Sequence, residues 1–115
     1  MPREFSRSDR VADFIKREIA LLIQRELRDP RLKNVNVNAV SVTRDMSIAK
    51  IYVTILGISI NDDSKPFIEA LNGAAGFLRG QLASRSNLRT TPKLYFYFDE
   101  SVVVAEHISN LIDKN

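Results

Sequence analysis

One histidine and no cysteine leave this chain few ways to do covalent or metal chemistry. Disulfides, thiol nucleophiles and Cys-ligated metals are excluded, and His107 alone makes no histidine cluster. The adjacent carboxylates are Asp62-Asp63 and Asp99-Glu100. Both pairs fall where a loop meets a helix start, and capping accounts for them. No nucleophile stands beside a base, and there is no P-loop. The chain reads as a non-enzyme with no cofactor and no metal. The residues left to do chemistry are cations. From Ala70 to Phe98 there is no acid, and the charged residues are Arg79, Arg85, Arg89 and Lys93.

That acid-free stretch contains NGAAGFLRGQLASR, residues 72–85. Phe67, Leu71, Ala74, Leu78 and Leu82 recur at helical spacing, yet Gly73, Gly76 and Gly80 sit among them. Each glycine inside a helix costs about 1 kcal/mol relative to alanine. Three explanations compete. The glycines let a helix lie close to a sheet; Gly76 marks a kink that splits the segment into two helices; or the kink also offers backbone amides to a phosphate. A helix that restarts near Gly76 presents unpaired N–H groups and positive potential, with Arg79 one turn in.

The rest of the chain must position this segment. Residues 8–28 carry an apolar stripe of Val11, Phe14, Ile15, Ile19, Leu22, Ile23 and Leu27, which predicts a helix capped by Ser8 and stopped at Asp29-Pro30. Residues 35–43 alternate and then change phase between Ala39 and Val40, as a β-bulge would make them. Residues 48–56 alternate again, and the short polar link 44–47 makes the two runs an antiparallel hairpin. After a loop, Ser64 is the expected cap and Pro66 the first-turn proline of a kinked helix pair at about 66–86. Residues 93–98, KLYFYF, form a third strand, and helical spacing returns at about 101–113 through Val104, Ile108, Leu111 and Ile112. Three strands need one face covered by helices, so the expectation is a single α+β domain over residues 1–115.

The net charge of +3 is uneven: residues 1–98 carry 16 Lys and Arg against 10 Asp and Glu, while residues 99–115 carry one lysine against four acids. A basic body points to a polyanion partner. The opening MPREFSRSDR lacks the apolar core of a signal peptide, and no apolar run is long enough to span a membrane. A cytoplasmic monomer is the expectation.

The order α-β-β-α-α-β resembles the type II KH domain, an RNA-binding fold. A KH domain carries a GXXG loop; here Gly73-Ala74-Ala75-Gly76 has the spacing but sits inside the helical pattern. Ala74-Ala75-Gly76 instead resembles the Ala-x-Gly kink of the ribosome-binding factor A family. The resemblance extends over Arg10-Val11, Leu27-Arg28-Asp29-Pro30-Arg31, Val42-Thr43-Arg44-Asp45, Ala75-Gly76-Phe77-Leu78-Arg79, Leu88-Arg89-Thr90-Thr91-Pro92-Lys93-Leu94 and Phe98-Asp99-Glu100-Ser101. The chain departs from the family in ending soon after its last helix. The resemblance implies a KH-like fold and a non-catalytic assembly factor. Its implied partner is the immature 30S subunit, bound near the neck and the 5′ end of the 16S ribosomal RNA. Late RNA maturation, growth in the cold and release by a partner GTPase belong to the same implication.

On this reading Ala74, Ala75, Gly76, Arg79, Arg85, Arg89 and Lys93 meet RNA, and Arg7, Arg10 and Arg44 flank them. Arg17 and Arg25 are assigned to ion pairs with Asp13, Glu18 or Glu26. Tyr52, Tyr95 and Tyr97, with Lys50 and Lys93, share the other sheet face, where tyrosine is common in strands in any case. Bases stacking on them make a second RNA mode; cover by the C-terminal helix is the simpler use. The alternative function is a protein-interaction module whose basic charge is incidental. Salt separates the two, because phosphate contacts weaken steeply as salt rises.

Overall fold

The structure, a computed structural model, describes residues 6–58 and 63–101. Helix α1 (Arg7–Glu26) begins at Ser6. The Ser6 hydroxyl accepts the Asp9 N–H, and the Asp9 carboxylate accepts the Ser6 N–H, a reciprocal cap that satisfies two otherwise orphan donors. The helix therefore starts earlier than the expected Ser8, whose hydroxyl instead contacts that of Ser6. The chain leaves the helix at Leu27, and Asp29 caps a short 3-10 helix, Pro30–Asn34, as the proline requires.

Strands β1 (Val35–Val42) and β2 (Ile48–Ile55) pair antiparallel, and the register shifts between Val37 and Ala39. A bulge is present as expected, but its extra residue is Asn38, ahead of the change expected between Ala39 and Val40, and Ala39 faces outward. The bulge switches the inward positions of β1 from Val35 and Val37 to Val40 and Val42. Strand β3 (Lys93–Phe98) lies parallel to β2, with Phe96 opposite Ile51, in the order β1-β2-β3.

Helices α2 (Lys65–Gly73) and α3 (Ala75–Ser84) form the connection between β2 and β3. The first is entered through Asp63, whose carboxylate accepts the Lys65 N–H at 2.9 Å; Ser64, the expected cap, makes no side-chain capping bond.

Ile51, Val53, Leu94 and Phe96 bury against Ile15, Ile19, Leu22, Leu71, Leu78 and Leu82 in one core. Helices α1, α2 and α3 thus cover one face of a mixed three-stranded sheet, the α+β, KH-like arrangement expected. Phe14 and Phe98 sit at the margin of the core, partly buried. Lys50, Tyr52, Thr54, Lys93, Tyr95 and Tyr97 occupy the alternate positions and face the other way. Glu100 and Ser101 are helical; the rest of the helix expected at about 101–113, with His107, lies outside the described residues.

Candidate nucleic-acid interface

The helical break falls at Ala74, not at Gly76. The Ala74 N–H reaches back to the carbonyls of Ala70 and Leu71, and the Ala74 carbonyl accepts the Leu78 N–H of the next helix. Asn72 fixes the end of α2. Its Nδ2 donates to the Phe96 carbonyl at 3.1 Å, and its Oδ1 accepts the Phe96 N–H at 2.8 Å. Lys93 directs its N–H at Ser47, just before β2, and Asp99 directs its own at Val53, so Phe96, in the opposite phase, turns its backbone to the free edge of the sheet. One amide side chain thus satisfies both backbone groups of Phe96 on that edge.

The glycines do not pack against the sheet. A Cβ on Gly73, Gly76 or Gly80 would meet nothing within 4 Å, and none of the three has a positive φ. Neither close packing nor a left-handed turn inside the chain uses them, which removes the first explanation. What remains is that α3 starts at Ala75 with no side-chain cap. Its first N–H groups lack the acceptors an established helix supplies, and they carry the positive end of the dipole. Beside this start lies a cleft of about 350 Å³ lined by Asn72, Ala75, Gly76, Arg79, Lys93, Leu94 and Tyr95. Among the described residues, no carboxylate lines this cleft.

The cations sort by what they already hold. Arg79 donates from Nε and Nη2 to the Thr91 carbonyl, at 3.0 and 2.8 Å. It ties α3 to the loop before β3, so it positions the cleft as well as charging it. Lys93, exposed at the cleft mouth, belongs to no salt bridge among the described residues. Arg85 is paired: its Nη2 lies 3.2 Å from Glu26 at the end of α1. Its own stretch holds no acid, and the partner comes from a helix 59 positions earlier. The same contact draws Glu26 away from the pairing expected with Arg17 or Arg25.

Arg7 and Arg89 meet in a second cleft, also about 350 Å³, between the start of α1, the β1–β2 turn and the loop before β3. Arg10 and Arg44 are exposed nearby in sequence but do not line it. Asp45 does line it. Its carboxylate accepts the Ser47 and Thr43 hydroxyls, each at 2.7 Å, and the Ser47 N–H at 3.1 Å. These bonds, with the Ser47 hydroxyl first, hold Asp45 below the usual carboxylate range. An ionised carboxylate at this cleft opposes a phosphate, so the kink cleft is the better anion site. Of the ten residues expected to meet RNA, Ala75, Gly76, Arg79 and Lys93 converge there. Asn72 and Leu94 were not anticipated. The signal for Asn72 was a poor helix former in the last turn of an apolar helix.

The whole arrangement has close likenesses. The family model for ribosome-binding factor A matches residues 7–112. A ribosome-binding factor A of Saccharophagus degradans is 52% identical, covering 99% of this chain and 89% of that protein. The crystal structure of ribosome-binding factor A from Thermus thermophilus superposes with a TM-score of 0.69 at 30% identity, over 80% of this chain and 96% of that one. A Thermus thermophilus ribosome-binding factor A homology model fitted into the cryo-EM map of a 30S complex gives a TM-score of 0.64 at 31% identity, over 77% of this chain and 91% of that one.

Proposed function

The chain belongs to the ribosome-binding factor A family, and on that premise we propose that it is a non-enzymatic assembly factor that binds the immature 30S subunit through its 16S ribosomal RNA. The observation that carries the reading is the uncapped start of α3, whose Ala75 and Gly76 line, with Lys93 and Arg79, a cleft without a carboxylate among the described residues. A backbone phosphate fits that chemistry: main-chain N–H groups at a helix start supply directed donors, and the cations supply attraction. Gly76 keeps the approach clear of a side chain. The complex of its Thermus thermophilus relative supports the 30S subunit as the partner.

In this role the protein works in the cytoplasm as a monomer, associated with the ribosome. It supports late 16S RNA processing, with growth in the cold depending on it, and leaves when an assembly GTPase acts. The test is gradient sedimentation of a cell extract with detection of this protein. The reading expects migration with free 30S subunits and absence from translating ribosomes. Migration at the top of the gradient under low salt, or only with translating ribosomes, contradicts it.

A further inference from the structure

All three tyrosines of the chain, Tyr52, Tyr95 and Tyr97, occupy the sheet face that the described helices leave open. Tyr95 and Tyr97 are each 42% exposed, high for rings in the interior of a strand. Tyr52 and Tyr97 face one another across the parallel β2–β3 ladder, with ring centroids 5.7 Å apart and planes 29° from parallel. Lys50 lies opposite Tyr95, and Lys93 precedes it on the same face. None of the described strands contains a carboxylate; Asp99, just past β3, accepts from Asn38 Nδ2 at 3.0 Å. Tyr95 also lines the kink cleft, so the two surfaces are continuous.

We propose that this face is a stacking surface for single-stranded RNA, which receives the bases of a strand whose backbone is held at the kink cleft. It rests on the function proposed above and extends it. Rings two residues apart on one strand stand about 6.6 Å apart, enough for two unstacked bases. An aromatic face accepts any base, and lysines beside it favour the strand over uncharged ligands. A folded duplex offers no free base faces and is excluded. The occupant is therefore an unpaired segment, such as an immature ribosomal RNA presents before its final pairing.

The chain supplies its own reporter. It has no tryptophan, so its intrinsic emission comes from these three rings alone. A short oligouridylate added to the full-length protein should quench that emission, and a double-stranded RNA should not. By anisotropy of labelled oligouridylate, Tyr97→Ala should bind about tenfold more weakly, and Tyr95→Ala likewise. Tyr97→Phe, which keeps the ring, should bind as the wild type does. Tyr97 lies outside the kink cleft, so its loss separates the two surfaces. If Lys93→Glu abolishes binding while folded Tyr97→Ala binds normally and no quenching occurs, the stacking surface is wrong and the kink cleft stands. If the emission resists acrylamide in the free protein and RNA leaves it unchanged, the segment 102–115 occupies the face and the proposal fails. The quenching arm needs no variant, so a misfolded substitution does not shelter the idea. Absence of any oligouridylate binding also overturns it, leaving sedimentation with 30S subunits to decide the function by itself.

Discussion

Replacing Gly80 by alanine adds a methyl group to open space in the middle of α3. Free of any clash, it should raise the stability of the isolated protein by roughly 1 kcal/mol, measured by denaturant unfolding. Gly76→Ala stands in the first turn and should gain less, but its methyl enters the kink cleft. Binding to 30S subunits should fall about tenfold or more, as expected when a charge-assisted hydrogen bond is broken. Stability and binding then move in opposite directions. A Gly76→Ala protein that is less stable, or that binds as tightly as before, contradicts the cleft. Asp45 makes a different prediction. Folding lowers its pKa, so its contribution to the β1–β2 turn is present above the ordinary value of 3.8 and is lost as pH falls through the lower folded value. A carboxyl titration followed by NMR should give a midpoint below 3.8. A midpoint at or above it would mean the Ser47 and Thr43 bonds do not persist.

The helix pair keeps its break in place through Asn72. Asn72→Ala strips both backbone partners from Phe96 and should cost about 1–3 kcal/mol. Amide exchange should rise at Phe96 before the centre of β2 responds; a uniform loss of protection would show that Asn72 does not hold the edge. Phe96→Ala, at a ring 1% exposed, should cost about 3–5 kcal/mol by unfolding measurements. Its inward phase was legible because KLYFYF alternates without interruption; a bulge in β1 was legible too, but between Ala39 and Val40 rather than at Asn38, because alanine fits either face. Periodicity records which side of an element meets the core. It does not record which distant group a polar side chain finds. The links of Asn72 to Phe96, Arg79 to the Thr91 carbonyl and Arg85 to Glu26 join separate elements, and no local pattern encodes them. The kink itself was legible from the glycines, but its position at Ala74 follows from Asn72 being tied to β3. Likewise the first cap went to Ser6 because Asp9 could reciprocate.

Across the whole molecule, the two clefts sit at one end of the sheet. Lys93 donates its N–H to the Ser47 carbonyl at 2.9 Å, which seats the start of β3 beside the turn that carries Asp45. The segment 88–93 runs from the Arg7–Arg89 cleft to the kink cleft. On the function proposed above, an RNA strand held at the kink and following this segment comes next to Arg89, whose cation must there outweigh Asp45. Arg79 and Arg85 are poor probes of this, since one supports the loop and the other pairs with Glu26. Lys93 and Arg89 are exposed and, among the described residues, belong to neither salt bridge. The decisive measurement is the affinity of the full-length chain for purified 30S subunits over a salt series, wild type against Lys93→Glu with Arg89→Glu. Wild-type affinity should fall linearly on logarithmic axes as salt rises. The double variant, with an unchanged melting curve, should bind at least about tenfold more weakly, with a slope shallower by about one for each phosphate no longer neutralised. A folded double variant with wild-type affinity and wild-type slope would contradict the assignment of this end of the sheet to ribosomal RNA.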